Sequence, residues 1–126
     1  MGTLYNFEKE VKAISRDLAS SLNRVILGYV DKRMLRHRLE NIQSDFLYAC
    51  TYFALAHSST VKMLKKTNLP FETQETVYYL GFAYFRIVNI FLQYNSVVDK
   101  YAETKDRKAL LTDLRDIRKQ VRSIYL

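Results

Sequence analysis

Between Val77 and Val98 the chain reads VYYLGFAYFRIVNIFLQYNSVV, apolar or aromatic nearly all the way round once wound into a helix. Val77, Leu80, Tyr84, Ile87, Phe91, Tyr94 and Val98 recur at helical spacing and form one face. Tyr78, Phe85, Val88 and Leu92 flank it on one side, and Ala83, Ile90, Val97 and Tyr101 on the other. Outside that surface runs a narrow line of Glu75, Tyr79, Phe82, Arg86, Asn89, Gln93, Ser96, Lys100 and Glu103. A helix with three apolar faces needs cover from other helices or from a partner. The stretch is as long as a membrane span, but Arg86 stands near its centre with Asn89, Gln93 and Asn95 beside it. That arginine alone costs an isolated span about 3 kcal/mol. The expectation is therefore a covered central helix and no membrane insertion.

The rest of the chain offers the cover. Leu4, Phe7, Val11, Ile14, Leu18, Leu22, Val25 and Tyr29 repeat at steps of three and four, which predicts a first helix from about Leu4 to Leu27. Thr3 or Asn6 would cap it, with Glu8 and Glu10 at the positive end of its dipole. Gly28 is its natural stop, and Asp31 caps the second helix after a turn. That helix carries Leu35, Leu39, Ile42, Phe46, Ala49, Phe53 and Ala56 on its inner face. It runs to about Lys66, with a break or recapping near Ser58, Ser59 and Thr60. Pro70 bars helix at the residue before it. The third helix spans about Phe71–Ala102, and the fourth follows a short turn at Glu103–Asp106 with Leu110, Leu114, Ile117, Val121 and Ile124 as its seam. Four helices joined by short loops become antiparallel neighbours. The expected fold is all-α, an up-down four-helix bundle forming one domain over residues 1–126.

Only Gly 3 and Pro 1 punctuate 126 residues, which argues for a few long elements and against a many-turned β fold. Cys50 is the sole cysteine, so no intrachain disulfide or multi-cysteine metal site is available. A chain without disulfides suits a reducing, cytoplasmic setting. The opening MGTLYNFEKEVK has no signal-peptide pattern, and Asn6 stands where a myristoylation signal takes Ser or Thr.

The net charge is +7, and residues 31–66 and 105–126 each carry +4, whereas 67–104 carry −2. Positive charge thus concentrates on helices two and four. In an up-down bundle the starts of these two helices share an end, so Lys32, Arg33, Arg36 and Arg38 should meet Lys105, Arg107 and Lys108 in a basic pole. Along helix four Arg115, Lys119 and Arg122 lie opposite the leucine seam, with Arg118 beside them. Such a pole and stripe would hold phosphates without reading sequence, through release of counterions. No helix-turn-helix, RNP-type or zinc-finger pattern accompanies the charge. The plainer alternative is that these lysines and arginines only solvate the helices.

Several chemistries fail on residue inventory. His37 and His57 are the only histidines, and no Glu-x-x-His pair exists for a di-metal carboxylate bundle. Cys50 and His57 share a face but supply two ligands at most, too few for a structural zinc site. Ser58 and Ser59 adjoin His57 in sequence without forming a triad. Gly2, Gly28 and Gly81 cannot build a phosphate-cradling loop; Gly81 reads as a place of close helix approach. HEPN-type ribonucleases carry an arginine, four to six residues and a histidine. Arg33 and His37 are separated by only three, so the pattern is missed, and a metal-independent RNase stays the remote alternative. No catalytic residue, metal, cofactor or small-molecule substrate is expected.

Tyr79, Phe82, Arg86, Asn89 and Gln93 form the one face of helix three that is not plainly core. Aromatics and arginine are enriched at interfaces, so this face is the expected surface for a homo-oligomer, a dimer in the first instance, or for a scaffold or inhibitor partner. Short, basic and tyrosine-rich, with one cysteine and no motif, the chain resembles the orphan proteins of archaeal viruses, those of hyperthermophiles in particular. That resemblance spans the whole chain, attaches to no residue, and implies the interior of a host cell as its place. The expected function is a non-enzymatic interaction protein that self-associates and binds nucleic acid.

Overall fold

A computed structural model describes residues 2–28, 31–66 and 71–125, and side chains within this range except those of 2–6, 64, 66 and 71–73. Among the described residues the chain forms four α-helices and one 3-10 turn, with no strand. These are α1 (Gly2–Ile26), α2 (Leu35–Lys66), α3 (Phe71–Thr104) and α4 (Arg107–Tyr125), with the 3-10 turn at Lys32–Met34.

Cross-helix pairs give the topology. Phe7 meets Tyr52 edge-on between α1 and α2. Gln43 bonds to Asn95 between α2 and α3, while Gln93 and Gln120 exchange hydrogen bonds between α3 and α4. Arg118 bonds Asn23, which brings α4 back beside α1. Partner positions run oppositely: as α3 descends from Lys100 to Gln93, α4 rises from Asp113 to Gln120, and as α2 rises from Gln43 to Phe46, α3 descends from Asn95 to Phe91. The result is an antiparallel up-down bundle in which α1 also touches α3 across the diagonal.

The predicted inner faces of α2 and α4 are the buried ones, but on α3 Tyr84, expected on the inner face, is 37% exposed, and Phe91 and Val98 are only half-buried. Leu35, Leu39, Ile42, Phe46, Ala49, Phe53 and Ala56 of α2 and all five seam residues of α4 lie in the core. Phe46 stacks on Phe91 and tilts against Tyr94, so α3's two central aromatics anchor α2. Tyr94 is fully buried and donates its hydroxyl to the Leu39 carbonyl at 2.6 Å. That bond spares a buried polar atom the cost of losing water.

Helix ends depart from expectation in instructive ways. Helix α1 starts at Gly2, so Thr3 and Asn6 lie within it rather than before it, and its first turn holds no acidic residue. Glu8 instead pairs with Lys12 one turn on, at 3.5 Å. Gly28 does end α1, with φ +77, the left-handed region that glycine enters without steric cost. Asp31 caps as expected, its carboxylate accepting from Arg33 N at 3.0 Å, but it caps the 3-10 turn from which α2 grows. Helix α2 then runs unbroken to Lys66. Thr60 is buried there and returns its hydroxyl to the carbonyls of Ala56 and His57, so it neither breaks nor recaps the helix. Pro70 lies outside the described residues.

Candidate nucleic-acid interface

Helix α4 is divided along its length because its seam fills the core every third or fourth residue. The acidic residues fall on the shoulder towards α3. Asp113 faces Lys100 at 3.5 Å, and Asp116 accepts from Gln120 at 2.9 Å. Lys108, Arg115, Lys119 and Arg122 fall on the side away from the core, with Arg118 turned towards α1. From Lys108 to Arg122 the stripe runs about 21 Å at the usual helical rise. Over that length one DNA strand carries about six phosphates.

Arg115, Arg118, Lys119, Arg122 and Ser123 line an open groove of about 580 Å³. None of the ion pairs among the described residues involves these four cations. Arg118 is half-buried and donates from Nη1 to Asn23 Oδ1 at 2.6 Å, while its Nε is buried with no protein partner. Burial lowers its proton affinity, and the neighbouring positive charges of Arg122 and Arg115 lower it further. The groove therefore gathers like charges around the half-buried Arg118 guanidinium.

The basic pole is more dispersed. Lys32, Arg33, Arg36, Arg38, Lys105 and Lys108 are exposed and Arg107 is half-buried. Arg36 and Lys105 do come together, lining a cavity of about 430 Å³ with Glu40 and Asp99. Arg36 pairs with Glu40 at 3.3 Å, Arg33 with Asp31 at 3.7 Å, and Lys105 lies over the Tyr101 ring. Arg38 looks instead into the α1–α2 groove, beside Arg24 and Asp45. Arg33 belongs to the 3-10 turn and His37 to α2, both exposed.

On α3, the five residues of the expected interface divide. Tyr79 donates to the Ile124 carbonyl at 3.2 Å, Gln93 exchanges bonds with Gln120, and Arg86 reaches the Ser123 hydroxyl, so these three lie against α4. Asn89 is exposed and donates to the Phe85 carbonyl of its own helix, and Phe82 is exposed outright. Tyr78, Phe85 and Leu92, which sequence spacing assigned to the flanks of the core, are exposed with Phe82.

Two contributors escape a reading of α4 alone. Arg86 touches the groove's edge through Ser123, and Arg16 of α1 covers the Tyr125 ring at the same end, 5.4 Å from its centre. Both arrive from other helices, and their sequence spacing carries no sign of it. Among the described residues no group of three His, Cys, Asp or Glu side chains converges as a metal requires. Nor is any described helix long and apolar enough to cross a membrane. No family model, curated protein or solved structure matches this chain.

Proposed function

We propose that this chain is a non-enzymatic interaction protein of the cell interior, self-associating and binding nucleic acid without sequence preference. The observation that carries the reading is the unpaired cation line of α4, where Arg115, Arg118, Lys119 and Arg122 share one groove and no carboxylate enters it. Surface cations that only confer solubility are ordinarily interspersed with acids. Here the acids of α4 are drawn off towards Lys100 and Gln120, and the positive side is left whole. The exposed basic side chains at the α2 and α4 starts extend this field at one end of the bundle.

Binding through such a line is electrostatic and must weaken steeply with salt. Four neutralised phosphates give a log–log slope of about −3 to −4, shallower for single strands than for duplex. Fluorescence anisotropy with a labelled oligonucleotide between 50 and 200 mM salt, a range over which phosphate-bound proteins lose orders of magnitude in affinity, reads this slope directly. The triple change Arg115→Glu, Lys119→Glu and Arg122→Glu should abolish binding. An unchanged gel shift from that variant would end the reading.

A further inference from the structure

The outer face of α3 is apolar surface that the bundle leaves uncovered. Tyr78 is 77% exposed, Phe82 and Phe85 each 69%, and Leu92 59%. With Asn89 and Ser96 they follow alternating steps of four and three along the helix. That 3.5-residue repeat keeps a line of side chains facing one neighbouring helix over successive turns. Leu80, Ile87 and Tyr94 occupy the opposite side of α3 and are fully buried, so the line points away from the chain's own core. Leu47 of α2, also 59% exposed, stands level with its far end, because Gln43 is bonded to Asn95 one turn away.

The extent of this surface bears on what covers it. An aromatic side chain presents about 150–250 Å², so the three rings at their exposures leave on the order of 300–500 Å² in water, with Leu92 and Leu47 adding to it. A patch of that size matches the largest that a typical monomer shows, and such patches are often functional. Doubled across a two-fold contact it reaches about 1,000 Å², the lower bound for a specific interface. Charge argues against an anionic occupant. Glu75, Asp99 and Glu103 stand exposed at the ends of the same line, so neither a phosphate backbone nor an anionic bilayer is drawn to it. Asn89 sits midway with its side-chain oxygen and second N–H still available, and a single asparagine in an apolar seam selects a matching helix in register.

We propose that a second copy of this chain docks on the line Tyr78, Phe82, Phe85, Asn89 and Leu92, each copy covering the other's. This rests on the self-association proposed above and names the face that carries it. The test is light scattering of the full chain. The intact protein should have twice the 14.9 kDa of one chain, and Phe82→Asp combined with Phe85→Asp should halve that mass with helicity by circular dichroism unchanged. Leu92→Arg should do the same should the double variant misfold. Leu55→Asp, at an exposed position on the outer face of α2, should stay dimeric. A dimer that survives both α3 variants overturns this assignment and leaves self-association standing. An intact chain at the single-chain mass overturns both. Phosphatidylserine vesicles should not co-sediment the protein; co-sedimentation that the double variant loses assigns the face to a membrane and overturns the second copy.

Discussion

The half-buried Cys50 thiol and the buried Tyr94 hydroxyl both contribute to how this chain responds to alkali. Burial pushes the Cys50 thiol up from 9.0 to about 11, with a small opposing effect of its backbone hydrogen bond. The Tyr94 hydroxyl is raised as well, first by burial and then by the Asp45 carboxylate. Unfolding restores ordinary values, so the folded chain keeps both protons to higher pH than the unfolded chain does. The thiol's contribution to stability is whole below pH 9 and fades as pH climbs to 11, and that of Tyr94 fades from pH 10 upwards. Urea midpoints should fall across this window, and the fall should be shallower in Tyr94→Phe, which has no proton to lose. At neutral pH the same variant should be about 1 kcal/mol less stable for want of the bond to Leu39. Parallel pH profiles for the two proteins would refute the account. Lys105 offers a second residue-scale test, since it adopts φ 56 where α3 turns into α4. Left-handed backbone costs a residue with a Cβ about 1–2 kcal/mol, partly offset by the entropy that glycine loses on folding. Lys105→Gly should therefore stabilise the chain by about 0.5 kcal/mol in urea melts; destabilisation would show that the lysine stem contributes packing there.

At the scale of the element, α2 and α3 approach closely at one point. A Cβ on Gly81 would stand 2.9 Å from His57 Nε2, so the glycine makes room for the imidazole. Gly81→Ala gains about 1 kcal/mol of helix propensity but must displace that ring. In the wild-type background the two effects should nearly cancel. With His57→Ala the same change should yield most of the gain, and a thermal-melt cycle measures the difference. Equal effects in both backgrounds would mean that His57 does not occupy the notch. The same elements display what spacing can and cannot reveal. Leu110, Leu114, Ile117, Val121 and Ile124 are legible as one seam because α4 is polar elsewhere. Helix α3 has no such contrast. Its apolar residues run all round, so periodicity could not say which side would meet α4 and which would stay in water. Tyr79, Arg86 and Gln93 read as the open face and lie against α4, while Tyr78, Phe85 and Leu92 read as core flank and are exposed.

For the molecule as a whole, the two proposed surfaces lie on adjacent corners of the bundle, one cationic along α4 and one apolar along α3. They adjoin at Ser123, which lines the cation groove and also the hollow that holds Tyr78 and Phe82, but they use different side chains and so are independently removable. Reversing charge on α4 should spare the oligomeric mass, and placing Asp at Phe82 and Phe85 should leave salt-sensitive binding detectable but weaker, because a monomer offers one cation line where a dimer offers two. Anisotropy and light scattering on both variants check this; loss of both properties in either one would mean the corners are coupled. The amino-acid order alone determined the helical class, the antiparallel path, the buried seams of α2 and α4 and the line of charge opposite α4's seam, because each is a local pattern with the helix's own period. Tertiary packing decided which face of α3 stays open, that Arg86 and Arg16 reach α4, and that Arg36 and Lys105 meet while Arg38 turns elsewhere. Those outcomes depend on how far each helix rotates about its axis against its neighbours, a quantity settled by the fit of side chains across the bundle.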